Sequence, residues 1–240
     1  MVIGMYLDLV HCDEGTSELT PDEPYVLTAV VDLAHSVNVQ GFPVPIPAFE
    51  VVLNGPFENF TSGKTGFAHF TPDLLPSFWD VTGKPASLTD PNKAIFVVSL
   101  MENDDGHPEA LRAIVKGVVG SSIFGTLGSD RATQVAKLIH DVSSALETPT
   151  GGPNFDDKIG EPHELSFSAE ELSQAASGQT VSKALTFTGD GGRYVLTFAA
   201  RTFETQLRRF LQTKGFDLSN GFDMRSLQPP VTSVRAFIQV

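Results

Sequence analysis

The chain is poor in cysteine and contains no long apolar segment. Its single cysteine, Cys12, excludes an internal disulfide, so stability must come from a packed core. No window approaches the roughly 18–20 uninterrupted apolar residues that a membrane span needs. The first residues, Met1–Asp8, contain no basic residue before the first aspartate, which predicts a strand rather than a signal peptide. We therefore expect no membrane span and no cleaved leader, which leaves the cytoplasm or export without a cleaved signal.

Basic residues are also scarce. The chain has 16 Lys and Arg against 29 Asp and Glu, for a formal net charge of −13. The deficit lies before Lys183, because from there to the end eight basic residues face four acidic ones. This balance argues against nucleic acid as a partner, since phosphate binding needs clustered positive charge. The six histidines form no zinc motif, so a divalent cation held by carboxylates is the ligand that the composition favours.

Apolar runs rich in Val, Leu, Phe and Tyr dominate both ends of the sequence and predict strands. A Gly-Asp-Gly-Gly turn at 189–192 joins the last two of these runs and is typical of a β-hairpin. The Pro-rich segment Phe42–Ala48 is too dense in proline for a central strand or a helix, and we interpret it as a connection. The main predicted strands are Met1–Cys12, Pro24–Ala34, Ala94–Met101, Ala184–Thr188 and Arg193–Phe203.

Between these strands the apolar period changes to three and four, which predicts two helices joined by a Gly-bounded turn within 107–147. Ser168 and Glu171 form the pattern of a capping box and predict a short helix to about Ala176. The apolar stripe of the helical hairpin has two interpretations. It packs on the strands or between its own helices, or it forms an interaction surface through Val115, Val119 and Ile123.

A basic C-terminal extension, residues 204–240, is predicted to pack on the remainder of the chain, residues 1–203. Its positive charge lies beside a strongly acidic body, and Arg208 and Arg209 are the candidate interaction residues. No Gly-x-Ser-x-Gly nucleophile elbow occurs, and we do not expect an enzyme.

Two acidic loops follow predicted strands. The first covers 12–25, and the second is split by the helices into 101–106 and 154–161. Massed carboxylates repel one another unless a counter-charge arrives. Calcium takes six to eight oxygen ligands and would relieve this repulsion.

These loops resemble the C-two domain, the calcium- and lipid-binding sandwich of synaptotagmins and conventional protein kinases C. Asp22-Glu-Pro-Tyr-Val26 is similar to the family's Asp-Pro-Tyr-Val signature. Glu102-Asn-Asp104 followed by Asp157-Lys-Ile-Gly-Glu161 is similar to its third loop. The resemblance covers residues 1–105 and 154–203. It implies a Ca²⁺ site whose ligands are Asp13, Asp22 or Glu23, Glu102, Asp104 and Asp157.

The sequence departs from the family at three places. An extra residue splits the Asp-Pro pair, Glu102 stands where the family usually has Asp, and an insertion interrupts the third loop. The predicted fold is mainly β: an antiparallel eight-stranded C-two-like β-sandwich with an inserted helical hairpin and a C-terminal extension. Its predicted function is calcium-dependent attachment to a membrane surface or a protein partner. The alternative is a calcium-independent structural or assembly protein that uses the insertion and the extension as interaction surfaces.

Overall fold

The computed structural model describes residues 3–17, 20–67, 88, 90–104, 106–149, 156–202, 204–206 and 208–209. These residues contain three α-helices, α1 (Pro108–Gly125), α2 (Arg131–Leu146) and α3 (Ala169–Ala176). They also contain eleven strands: β1 (Ile3–Glu14), β2 (Pro24–Asp32), β3 (Ser36–Val39), β4 (Phe42–Pro45), β5 (Ala48–Asn54), β6 (Thr65–Phe67), β7 (Ala94–Glu102), β8 (Asp157–Lys158), β9 (His163–Glu164), β10 (Val181–Gly189) and β11 (Gly192–Thr202). The protein is therefore mainly β, as the sequence predicts.

The strands form two larger antiparallel sheets. The first has the order β10-β11-β1-β6, and the second has the order β5-β2-β7-β8, with β9 also pairing with β7. The predicted hairpin joins β10 to β11, and its turn residues Asp190 and Gly191 have φ of 50° and 74°. Positive φ at both central residues is the geometry of a type I′ turn, one of the two common two-residue hairpin turns. The Gly-rich turn signal was therefore correct.

The two sheets pack face to face around one core. Alternate residues of β1 and β11 point inward, and they meet inward-pointing residues of β2 and β7. The buried side chains of this core include Met5, Val10, Val26, Val30, Phe96, Val98, Leu100, Phe187, Leu196 and Phe198.

The outer face of the second sheet is also buried, because α1 and α2 cover it. Leu27, Ala29 and Val97 on this face share a second apolar cluster with the stripes of both helices. Strands buried on both faces read as continuous apolar runs, and β7 is buried at all nine positions. The molecule thus has three layers: sheet, sheet and helices.

This layering decides between the two interpretations of the helical hairpin. Val115, Val119 and Ile123 are at most 1% exposed, and they lie on the face of α1 that packs on the second sheet. Their assignment as an interaction surface was therefore wrong. The apolar stripes of α1 and α2 cover the outer face of the second sheet.

The remaining helix, α3, begins at the predicted capping box. The Ser168 hydroxyl accepts a hydrogen bond from the Glu171 backbone, and the Glu171 carboxylate accepts one from the Ser168 backbone. The C-terminal extension lies outside the described residues apart from 204–206 and 208–209, so its predicted docking is tested only there. Arg209 contacts Asp8 of β1 at 3.1 Å, whereas Arg208 pairs with Glu204 one turn away. Both arginines therefore have partners within the chain.

Strands β3 and β4 were missed by the sequence analysis. They form a separate two-stranded hairpin within the segment predicted as a Pro-rich connection. Every residue of both strands is exposed, so this hairpin projects away from the two sheets.

Candidate functional site

Strand directions give the molecule two distinct ends. At one end, here called the acidic end, the last residues of β1 and β7 meet the first residues of β2 and β8 and the β10–β11 turn. At the other, here called the apolar end, Asp32 of β2 is level with Ala48 of β5 and Ala94 of β7. Helix α1 runs from the acidic end to the apolar end, because Arg112 contacts Val51 near its start and Phe124 contacts Phe49 near its finish.

The acidic end collects the predicted calcium ligands, but it already supplies them with donors. Asp22 is buried and accepts hydrogen bonds from the Thr16 backbone at 2.8 Å and the Thr16 hydroxyl at 2.7 Å. Its carboxylate also accepts a hydrogen bond from the phenol of Tyr194. Burial, together with this bond, raises the pKa of Tyr194 and keeps it a donor. Asp22 is thus held as an internal acceptor.

Asp13 points to a different set of partners. Its carboxylate lies 3.2 Å from Nε2 of His11 and 3.3 Å from Nε of Arg193. The carboxylates of Asp13 and Asp22 therefore have no partner in common among these contacts.

The third-loop candidates are also engaged. Glu102 is buried and accepts a hydrogen bond from the Glu23 backbone at 2.8 Å. The Glu23 carboxylate accepts one from the Asn103 side chain at 3.0 Å. The Asp104 backbone donates to Asp156 at 3.3 Å. These bonds tie the two halves of the split loop to the start of β2.

Asp156 was not among the predicted ligands, yet it lies at the centre of this end. Its carboxylate accepts a 2.6 Å hydrogen bond from the buried phenol of Tyr25, and burial followed by this bond raises the pKa of Tyr25. Gly106 leaves room for it, because a Cβ at that position would overlap the Asp156 carboxylate. Sequence spacing offers no signal for this contact, since Tyr25 and Asp156 are 131 residues apart.

Negative charge nevertheless accumulates here. Burial raises the pKa of Asp190, and the carboxylates of Asp157 and Asp22 raise it further. Asp157 itself is exposed on β8, level with Glu102. Within the ranges described above, however, no group of three His, Cys, Asp or Glu side chains is placed to hold a metal ion. The six candidate ligands, Asp22 and Glu23 being alternatives, include no such group there.

A serine and a lysine near the acidic end approach each other as in some hydrolases. Nζ of Lys158 lies 2.8 Å from the Ser143 hydroxyl. The same ammonium contacts Glu161 at 2.7 Å and Glu147 at 3.3 Å, and although burial lowers its pKa, these carboxylates leave the pKa raised. A lysine held in its charged form cannot accept the serine proton, so this pair does not form a nucleophile and base.

The apolar end has the opposite character. Six large hydrophobic side chains of the described residues are exposed, and all six lie at this end. Four belong to the β3–β4 hairpin, with Phe42 at 74% exposure near its turn. Of the other two, Phe124 lies in the last turn of α1 and Leu127 follows the helix. These six residues, here called the apolar patch, are Val37, Val39, Phe42, Val44, Phe124 and Leu127.

The hairpin presents its four apolar side chains on one face. Val37 pairs with Val44, and Val39 pairs with Phe42. Cross-strand partners share a face of a sheet, and so do residues two apart in a strand. Gln40 and Gly41 form the turn with φ of 52° and 91°. The alternation Val-Asn-Val before Gln-Gly and the alternation Phe-Pro-Val after it were the available signal, but the prolines obscured it.

Comparison with known proteins does not assign the chain to a family. No family model, no curated protein and no solved structure matches the chain. Among the described residues, no helix has both the length and the apolar character that crossing a bilayer requires.

Proposed function

We propose that this protein is a calcium-independent assembly module that binds another protein chain through its apolar patch. The observation that carries the proposal is that the six large hydrophobic side chains exposed among the described residues all lie toward one end. Single exposed apolar residues are common, but the four of the β3–β4 hairpin share one face, and an apolar group of this kind marks an interaction site.

The energetic case is strongest for Phe42. Complete burial of a phenylalanine side chain contributes about 1.5–3 kcal/mol relative to leaving it in water, and Phe42 is 74% exposed. Its own hairpin gives it little cover, because all eight strand residues are exposed. A partner surface would recover most of that free energy.

Photocrosslinking tests this function. A photoreactive amino acid replaces Phe42 in the full chain, and a matched protein carries it at Ala136, an exposed position on α2. We expect a protein adduct from position 42 in the native cell, no adduct from position 136, and loss of the first adduct when Leu127→Ser is added. Equal labelling from both positions, or no protein adduct from position 42, would refute the proposal.

The competing function is the calcium-dependent module implied by the resemblance to the C-two domain. It is supported by the two facing antiparallel sheets and by the gathering of Asp22, Asp157 and Asp190 at one end. This second proposal includes the eight-stranded topology of the C-two domain as its fold. The internal donors to Asp22 and Glu102 weigh against it.

A thermal melt separates the two functions. A ligand that binds only the folded state stabilises it by about 2.7 kcal/mol at a hundredfold excess over Kd. The calcium-dependent function requires a higher melting temperature in calcium than in chelator, and loss of that shift in Asp157→Asn. We expect the same melting temperature in both conditions. A shift that Asp157→Asn abolishes would overturn the calcium-independent assignment.

A further inference from the structure

The two edges of the β3–β4 hairpin differ in what they offer another strand. His35 and Ile46 form a hydrogen-bonded pair at its base, with a 3.1 Å bond from the Ile46 backbone to the His35 carbonyl. Hydrogen-bonded pairs alternate along an antiparallel ladder, so Val37 with Val44 and Val39 with Phe42 are also such pairs. The backbone groups of the residues between them therefore point away from the hairpin.

Those outward residues are Ser36 and Asn38 on β3, and Pro43 and Pro45 on β4. Proline has no N–H, so the β4 edge cannot donate to an added strand. The β3 edge presents two N–H groups and two carbonyls, and no other strand of the described residues pairs with it. Open edges of this kind are templates for pairing with another chain.

The charge around this edge limits what can approach it. Residues 33–49 and 117–129 contain no Asp, Glu, Lys or Arg, although the whole chain carries a formal net charge of −13. A nucleic acid or a strongly charged protein would find no counter-charge here. Two copies of this chain would repel each other over most of their surface, and the apolar end is where that repulsion is smallest.

We propose, building on the assembly function above, that the partner is a second copy of this chain and that the two copies pair through β3. An antiparallel pairing centred on Val37 places Ser36 of each copy opposite Asn38 of the other. All four outward N–H groups then meet outward carbonyls across the two-fold axis. Val37 of one copy lies beside Val37 of the other, so the two apolar faces join.

The prolines give this assembly a limit. The four-stranded sheet that results has β4 at both edges, and each of these edges lacks the N–H groups that a further strand would need. A two-fold pairing uses the same surface on both copies and closes. The expected product is a dimer rather than a fibre.

Cysteine pairing tests the register. Val37→Cys and Val44→Cys differ in strand but not in face, and the native residues are 40% and 38% exposed. With oxidised glutathione as the oxidant, we expect Val37→Cys to form a disulfide-linked dimer and Val44→Cys to remain a monomer. The native Cys12 is buried and supplies little background. Equal linking of both variants, or linking of neither, would overturn the pairing.

Sedimentation velocity tests the edge itself without touching the apolar face. Ser36→Pro removes one outward N–H from each copy, whereas the control Ser36→Ala keeps it. We expect Ser36→Pro to weaken dimerisation at least about tenfold and Ser36→Ala to leave it unchanged, with equal melting temperatures. A wild-type chain that stays monomeric at all concentrations overturns the inference. If position 42 then crosslinks to a different protein, the assembly function stands without the second copy.

Discussion

A buried ion pair on the first sheet allows a sharp test of the packing described above. Asp8 and Arg201 lie on the face of that sheet that points away from the core, and Arg201 is fully buried. Nη1 of Arg201 contacts the Asp8 carboxylate at 2.8 Å, and its Nη2 contacts the other carboxylate oxygen. Nε of Arg201 donates to Gln206 at 2.6 Å. Asp8 is the carboxylate that neutralises this buried guanidinium.

Asp8→Asn keeps the shape of the side chain and removes its charge. Removing one partner of a buried pair costs about 3–5 kcal/mol, because an uncompensated charge remains. We expect a loss near the lower limit, about 3 kcal/mol, because the asparagine carbonyl still accepts one hydrogen bond from Arg201. The side chain of Asp8 is 11% exposed, so solvent screens the pair only slightly.

Urea denaturation followed by far-ultraviolet circular dichroism measures this loss at neutral pH. Glu204→Gln is the matched control, because it breaks the exposed pair with Arg208, whose side chains are 47% and 40% exposed. Such surface pairs contribute about 0–1 kcal/mol. If Asp8→Asn costs no more free energy than the control, the reasoning about the buried charge fails.

The pair also predicts a pH dependence. Burial raises the pKa of Asp8, but the hydrogen bonds and charges of Arg201 and Arg209 outweigh it and leave the pKa below its ordinary value. The folded state therefore binds this proton less tightly than the unfolded chain does. The contribution to stability is present above the ordinary aspartate pKa and is lost as pH falls through the lower folded value. Asp8→Asn should flatten the fall in stability over that acidic range.

Three further substitutions test whether individual positions are as crowded or as buried as the structure shows, and the melting temperature is measured for each. Gly106→Ala should lower it, because the added Cβ would overlap the carboxylate of Asp156. Gly117→Ala should raise the free energy of unfolding by about 0.5–1 kcal/mol, because the position lies inside α1 with open space around it. Equal shifts in melting temperature for Gly106→Ala and Gly117→Ala would contradict this account. Val119→Asp should lower the free energy of unfolding by several kcal/mol, because it leaves an unpaired charge in a buried position. The control Ser121→Asp, on the exposed face of the same helix, should lower it little. A drop in melting temperature of less than about a degree for Val119→Asp would contradict the buried position.

Local patterns in the sequence were sufficient where the structure depends on neighbours along the chain. The capping box of α3 joins residues three apart, and the β10–β11 turn depends on Asp190 and Gly191 alone. The continuous apolar run of β7 reports burial on both faces, and it was predicted with an error of one residue at its end. These signals are short-range, so a single sequence contains them.

The candidate site could not be predicted in the same way. Acidic loops at strand ends indicated where carboxylates gather, and Asp22, Glu102 and Asp157 do lie at one end. Whether a carboxylate faces an ion or an internal donor depends on distant residues. Asp22 has one near partner, Thr16, but its buried donor Tyr194 is 172 residues away, and no spacing rule connects that pair. The stripes of α1 and α2 likewise predicted an apolar face, but not whether the strands, the other helix or a partner would cover it.

The helical layer explains why the outer face of the second sheet is not an exposed apolar surface. The outer face of the second sheet carries Leu27, Ala29 and Val97, which would be in water without α1 and α2. We therefore expect removal of the insertion to unfold the sheet. The β3–β4 hairpin, by contrast, contributes no residue to either buried cluster. Replacing residues 36–45 with a short Gly-Ser linker should keep the melting temperature and abolish assembly. Replacing residues 107–147 in the same way should give an insoluble or unfolded chain, because the lost cover includes nine buried apolar side chains. A soluble, cooperatively melting chain without its helices would refute the three-layer account.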